Sequence, residues 1–378
     1  MAALLLGTLL WSGIVLAFIW IVDPYGVSPV RVVKRINHFK PKRVDIDRLI
    51  KPYEVWRDQP RTIFMGTSRI HQSMNPAVLG GTSYAPAYNA AIPASMLGMN
   101  VAHLEQYLKT DKRLKHVFLE LFLYSFIYPQ SVEASIGFSK FLADVVSCQF
   151  SSTALMAALQ TVHFNITRKP AVGYVHFDGH WVYPQGHNPK HAFSEKSYAD
   201  SIMAAHRNIP DMGIQPTALA ALDRLIDLAK KNGVTLQLIM TPNYPWDDYR
   251  LLSLGYWHLV EDWYRKLARY ENVISFAQYN TLTEEPVGDA MQYWNDPLHF
   301  SLGMGRLMLL SMLGTPDPSV PQNFMRRLTP ENVDMLLNER RKGLEIWGAR
   351  NPAFVEYFEQ AKFSTGNAPS QRSRGSPR

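Results

Sequence analysis

Three side chains of this sequence have the types and placement needed for nucleophilic chemistry. In RTIFMGTSRI the apolar run Ile63 to Met65 stops on Gly66 and presents Thr67, Ser68 and Arg69. Glycine after a short β-type run permits a sharp turn, which predicts Ser68 at the carboxyl end of a strand. In open α/β sheets that is where ligands bind. Far downstream, YWNDPLHFS supplies Asp296 and His299. In a turn, their spacing can put both side chains on one side, so that the carboxylate holds imidazole Nδ1 while Nε2 faces outward. A serine awaiting deprotonation needs such a pair, with all three residues on loops at one sheet edge. Each half also has a plainer reading: Ser68 as a helix cap worth about 1 kcal/mol, and Asp296 to His299 as a capping turn.

The elements that must position these residues alternate. TIFMG, AYNAAIP and HVFLELFLYSF read as strands, the last apolar on both faces as a buried parallel strand should be. TALAALDRLIDLAKKNG is amphipathic, with Leu219, Leu222, Leu225, Ile226 and Leu228 on one stripe and Gly233 at its end. VTLQLIMTP follows as a strand, YWHLVEDWYRKLARY as a helix and NVISFA as a further strand. This rhythm predicts an α/β fold with a central parallel sheet covered by helices. Aromatic, Gly, Pro and His residues from about Val132 to Asp211 break the rhythm, which predicts an insertion over the sheet's active edge. The expected organisation is therefore an anchor at 1–23, a juxtamembrane linker at 24–58, the main domain at 59–314 with its insertion at about 132–211, a helical appendage at 315–363 with a solvated charged face, and a disordered tail at 364–378.

Composition excludes wholesale disorder: of 378 residues, 47% are hydrophobic and 19% charged. Met1 to Val22 carry no charge and as a helix would span roughly 33 Å, enough for a bilayer. The run is longer than a signal-peptide core and lacks a small-x-small cleavage site, which favours an uncleaved anchor. Arg31, Lys34, Arg35, Lys40, Lys42 and Arg43 follow it. On charge alone that flank would keep the domain in the cytoplasm, although large domains translocate despite such flanks. The net charge of +7 comes largely from this flank and the tail. It therefore argues for contact with anionic headgroups and not for nucleic acid. The single cysteine, Cys148, forms no internal disulfide.

Other motifs carry less. His176 and His180, and His187 and His191, repeat a four-residue spacing. Gly179, Gly186 and Pro189 argue against helices there, and no carboxylate or cysteine is recognisable as completing a ligand set, so no metal site is expected. Trp181 and Tyr183 are candidates to line a sugar-binding cleft, or to pack the insertion. Gly80 and Gly81 form no phosphate loop, because no Gly-Lys-Ser/Thr follows.

Taken together, Gly66-Thr67-Ser68 and Asp296-Pro297-Leu298-His299 resemble the SGNH (GDSL-like) hydrolase superfamily over approximately Arg61 to Leu313, closest to its membrane-anchored branch associated with O-acetylation of bacterial cell-surface polysaccharides. The resemblance implies a three-layer fold, with Ser68 as nucleophile, His299 as base and Asp296 orienting it. It also implies an inner-membrane protein whose domain is periplasmic, a cell-surface polysaccharide as acceptor, a polytopic membrane partner passing acyl groups, and no cofactor. Ala94 stands near the usual oxyanion glycine, where its amide would act beside that of Ser68. The third block departs: LELFLYS offers Phe122 and Tyr124 where Gly-x-Asn is usual, which leaves Asn89 as the nearest replacement donor. Arg69 is a candidate contact for an anionic donor or glycan, with a solvated or salt-bridged arginine as the preferred reading. The rival to acyl transfer or hydrolysis is a catalytically weakened SGNH fold that binds glycan and scaffolds a modification or export complex.

Overall fold

A computed structural model describes residues 1–28, 30, 32–128, 138–167, 173–183, 187–194 and 213–364. The predicted tail beyond Ser364, Arg31, Gly186 and the last part of the predicted insertion, 195–211, lie outside these residues. The central sheet is built on five parallel strands: β1 (Thr62–Met65), β2 (Ala87–Asn89), β3 (His116–Leu121), β6 (Thr235–Met240) and β7 (Val273–Ser275). Each matches a run expected as a strand. A short β8 (Arg326–Arg327) closes the sheet, in the order β2-β1-β3-β6-β7-β8. β1 is buried on both faces, as a central parallel strand must be. The chain leaves β1 for β2 on one side and for β3 on the other, so the sheet's switch point, where a crevice opens, lies between the carboxyl ends of β1 and β3.

Helices cover the sheet. α1 is Ala2–Val22, α2 Asp47–Asp58, α3 Ser68–Ser73, α4 Leu97–Thr110 and α5 Tyr124–Ile127. Further along, α6 is Phe138–Gln149, α7 Ser152–Thr167, α8 Pro189–Ser194 and α9 Pro216–Lys231. Beyond these come α10 (Pro245–Ser253), α11 (Trp257–Leu267), α12 (Leu302–Met312), α13 (Val333–Arg350) and α14 (Pro352–Ser364). α9 is the amphipathic helix expected: it buries Ala218, Leu222 and Leu225, packs beside α4, and ends before Gly233 at φ +64°.

Three boundaries differ from expectation. The 24–58 stretch is no loose linker, because α2 packs on α4 and buries Lys51 and Glu54, the latter paired with buried Arg43. The insertion divides. Its α6 and α7 pack on α2 and α1 in a separate apolar cluster of Ile19, Ile50, Phe141, Val145 and Ala157, away from the sheet edge. Its antiparallel hairpin, β4 (Tyr174–Val175) and β5 (Trp181–Val182), docks on β2, where the Asn89 N–H donates to the Asp178 carbonyl at 2.8 Å. Gly179 permits that approach: it has φ +90°, and a Cβ there would lie 2.2 Å from the Asn89 carbonyl oxygen. Finally, the appendage belongs to the main core. β8 pairs antiparallel with β7, and α13 buries Leu336, Leu344, Trp347 and Arg340, whose guanidinium meets Asp248. The charge read as solvated is there partly internal, because a buried aspartate needs a counter-charge.

Candidate functional site

Ser68, Asp296 and His299 converge. The Ser68 hydroxyl lies 2.8 Å from His299 Nε2, and His299 Nδ1 lies 2.7 Å from Asp296 Oδ2 and 2.9 Å from Oδ1. A carboxylate on Nδ1 fixes the proton there and leaves Nε2 as the acceptor for the serine proton. Asp296 Oδ1 also accepts the N–H groups of Leu298 and His299, which locks the turn. Burial pushes the Asp296 carboxyl up, but the bonds from His299 outweigh that and hold it below its ordinary value.

Local packing explains the convergence. Ser301 caps α12, its Oγ accepting from Gly303 and Met304, while Trp294 and Phe300 pair across the preceding turn. α12 then lies directly on α3: a Cβ on Gly305 would sit 1.8 Å from the Ser73 carbonyl oxygen, and the Ser73 hydroxyl donates to the Phe300 carbonyl. These contacts bring the late loop over the early one. The capping role that would explain Ser68 without chemistry belongs to Thr67, whose hydroxyl accepts from the Arg69 N–H at 3.3 Å.

Beneath the nucleophile sits Glu120, which no sequence motif singled out. Its Oε2 accepts from both the Thr67 N–H and hydroxyl at 2.8 Å; its Oε1 accepts from Thr241 at 3.0 Å and faces Arg69 Nε at 3.3 Å. Gly66, at φ +154°, makes room for it, since a Cβ there would lie 2.6 Å from that of Glu120. The signal was present as one carboxylate in a strand otherwise apolar on both faces, because such groups are almost never fully buried without a partner. Arg69, expected as a candidate substrate contact, is only 2% exposed. It pairs with Glu120, donates to Asn243 Oδ1 at 2.9 Å and to the Pro242 carbonyl, and stacks over Phe122 at 4.6 Å. It braces the floor of the site.

A cavity of about 170 Å³ opens at the β1/β3 switch point, lined by residues of the loops after β1 (Ser68), β2 (Ala94, Ser95, Met96) and β3 (Phe122, Tyr124) and by His299. It is below the about 300–1,000 Å³ of sites for drug-sized ligands and has room for a small group only. Ala94 has φ +56°, the region that favours glycine. Neither its N–H nor that of Ser68 has a protein acceptor among the described residues, so both are free to donate. The Ser95 hydroxyl holds the second loop to the first through the Gly66 carbonyl at 2.7 Å.

Asn89 does not take the place of the missing asparagine. Its amide donates to the Ile70 and Met74 carbonyls, both at 2.8 Å, and its oxygen accepts from the Ala91 N–H, so it braces α3 from below. Trp181 and Tyr183 are not among the cavity's lining residues. Trp181 lies 6.1 Å from His71, while the Tyr183 hydroxyl donates to Gln72 and its ring stacks on His187, which in turn reaches the Asn295 carbonyl at 3.3 Å. Tyr183 thus backs the Asp296 loop, while Trp181 lies against α3.

His176 and His180 are joined by a carboxylate after all: Asp178 Oδ1 lies 2.9 Å and 2.6 Å from their Nδ1 atoms at the hairpin tip. Burial opposes ionisation of Asp178, but these two bonds hold its carboxyl well below the usual range. The trio offers one ligand atom each within 4.8 Å and is the group of metal-ligand type among the described residues. In the structure the two Nδ1 atoms share Asp178 Oδ1. Neither a protein-family model nor a curated protein matches this sequence.

Proposed function

We propose that this chain is a serine-dependent acyltransferase or acylesterase of SGNH type, acting on a small acyl group, acetyl on a cell-surface glycan hydroxyl. The observation that carries the reading is the unbroken hydrogen-bonded relay from Ser68 through His299 to Asp296 beside a small cavity. Ser68 Oγ attacks the ester carbonyl while Nε2 takes its proton, and the oxyanion is met by the Ser68 and Ala94 amides. Collapse returns the proton to the leaving alcohol and leaves acyl-Ser68. An incoming hydroxyl, of glycan or water, then gives its proton to Nε2 and carries the acyl group away. These steps balance without a cofactor.

We read α1 as a retained anchor with the domain on the periplasmic side. Among the described residues α1 is the single helix long and apolar enough by itself to cross a membrane, and its end is built into the fold. Ile19 and Val22 are buried, and Asp23 accepts from the Val27 and Ser28 N–H groups and pairs with Lys40 at 3.0 Å. Cleavage would dismantle that cluster. Lys40 and Arg43 are engaged with Asp23 and Glu54, which weakens the basic flank as a cytoplasmic signal.

A fluorophosphonate probe tests the reading directly. It should label the wild-type chain and not Ser68→Ala, and acyl transfer to glycan should outpace release to water. Absence of labelling in the folded wild type would favour the binding scaffold instead, a reading supported by Phe122 and Tyr124 standing where an oxyanion asparagine is usual.

A further inference from the structure

The α6–α7 hairpin has the wrong residues outside for water. In α7 the buried positions are Ala154, Ala157, Ala158, Thr161 and Asn165. Exposed instead are Met156 at 57%, Leu159 at 49% and Ile166 at 63%, on one helical stripe that also carries the uncharged side chain of Gln160 and the imidazole of His163. A water-facing helix has the opposite arrangement, with large apolar residues inside. Small residues at the helix contact and large apolar ones outside is how helices pack in lipid. α7 contains no Asp, Glu, Lys or Arg, and the two charges of α6, Lys140 and Asp144, pair with each other at 2.8 Å.

The hairpin also lies along α1. α7 packs on α1, Phe150 stacks on Trp20 at 5.9 Å, and the turn Phe150 to Ser152 shares a groove with Thr8, Trp11, Ser12, Val15 and Ile19. The turn therefore runs beside the apolar helix and not beyond its end. Ser151 ties part of the turn's backbone internally, as lipid favours: its hydroxyl donates to the Cys148 carbonyl at 2.9 Å and accepts from the Ala154 N–H at 3.0 Å. At the far end of α7, Asn165 clasps the backbone of Phe39 in both directions, at 3.0 and 2.8 Å, within the stretch that carries Lys34, Arg35 and Lys42. Just before the turn, Gln149 Nε2 donates to the Ile19 carbonyl at 3.5 Å and to Asp23 Oδ1 at 3.4 Å, so both ends of α7 are held near the domain-side end of α1.

We propose that α6 and α7 are seated in the bilayer beside the domain-side end of α1, with their exposed apolar residues facing acyl chains. The occupant of that face is lipid. The inference rests on α1 being a retained anchor, because the hairpin's apolar neighbour outside the fold is the medium around that helix.

The test uses the full chain in vesicles of phosphatidylethanolamine and phosphatidylglycerol. On a Cys148→Ser background, single nitroxide labels are placed by Met156→Cys, Leu159→Cys, Leu9→Cys on α1 and Glu345→Cys on α13. Accessibility to oxygen and to a nickel chelate is then compared. Labels at 156 and 159 should match the one at 9, with an oxygen-to-nickel ratio several-fold above that at 345. Nickel access at 156 and 159 equal to that at 345, with 9 still in lipid, would overturn the hairpin while leaving the anchor intact. Shielding of 156 and 159 from both reagents would mean a protein partner covers the stripe, which also overturns it. Nickel access at 9 would remove anchor and hairpin together, without touching the serine chemistry.

Discussion

Replacing Glu120 by glutamine changes one atom under the nucleophile and should disturb it severely. The carboxylate accepts from the Thr67 amide, the Thr67 hydroxyl and Thr241, and neutralises the buried Arg69. A glutamine keeps one oxygen. Turned toward Thr67, that oxygen leaves an NH₂ facing the Arg69 guanidinium; turned the other way, the NH₂ faces the Thr67 N–H. Either pose loses at least one charge-assisted hydrogen bond, worth about 1.5–3 kcal/mol, and leaves a buried guanidinium without its counter-charge, for which breaking a buried pair costs about 3–5 kcal/mol in total. At about 2–4 °C per kcal/mol for large domains, the melting temperature should fall by roughly 6–20 °C. Thermal unfolding in detergent measures this. Because Thr67 precedes Ser68, fluorophosphonate labelling at a temperature where the variant is folded should slow as well. The double variant Glu120→Gln/Arg69→Met removes the orphaned charge and should recover part of the stability but not the labelling rate. A shift under about 2 °C, the equivalent of less than one kcal/mol, with normal labelling would refute the view that Glu120 organises the site.

Asp296→Asn should leave Ser68 in place but let His299 adopt the wrong tautomer, cutting turnover on the order of 10⁴-fold; equal turnover would show that the relay does not operate. The same variant has a pH signature. Because the Asp296 carboxyl is held below its ordinary value of 3.8, its contribution to stability is fully present above about pH 3.8 and is lost as pH falls through the lower folded value. The melting temperatures of the wild type and of Asp296→Asn should therefore converge in acid and separate near neutral pH, and a constant gap would contradict this. Ala94→Gly should relieve left-handed strain and stabilise by about 1 kcal/mol, seen as a higher melting temperature. A reporter fused after the last residue should be active outside the cytoplasm; activity only inside it would overturn the proposed orientation.

The strands that build the site were legible because central parallel strands are apolar on both faces, and Ile63 to Met65 announce one without any long-range information. The relay was legible for a different reason. Serine after Gly66 and the Asp296 to His299 spacing are local patterns, and only their juxtaposition needed the fold. What stayed hidden depended on contacts distant in sequence. Asn89 looked free to donate, yet both hydrogens go to carbonyls of α3 and its cap, about one loop earlier in the chain. A salt-bridged Arg69 was legible, but its partner was not: Glu120 looked like a lone charge in an apolar strand until the fold set it beside Arg69. β8 is two arginines, Arg326 and Arg327, with no β-type pattern at all; its pairing with β7 is a consequence of where α13 docks. The hairpin histidines lacked a carboxylate on paper because Asp178, between them, becomes their common acceptor only when the chain turns at Gly179.

The clasp at Asp23 has a mechanical corollary. Most anchored enzymes hang on a supple tether and sample a hemisphere of solvent; here the mast is bolted to the hull. If α1 stands in a bilayer, the mouth of the Ser68 cavity keeps one altitude and one tilt, and can only drift sideways and pivot about the membrane normal. If the acceptor is the polymer proposed above, it is then modified at whichever segment passes that altitude. The spacing of decorations along it would be governed by the rate at which chain moves past the enzyme and not by how far the enzyme can reach.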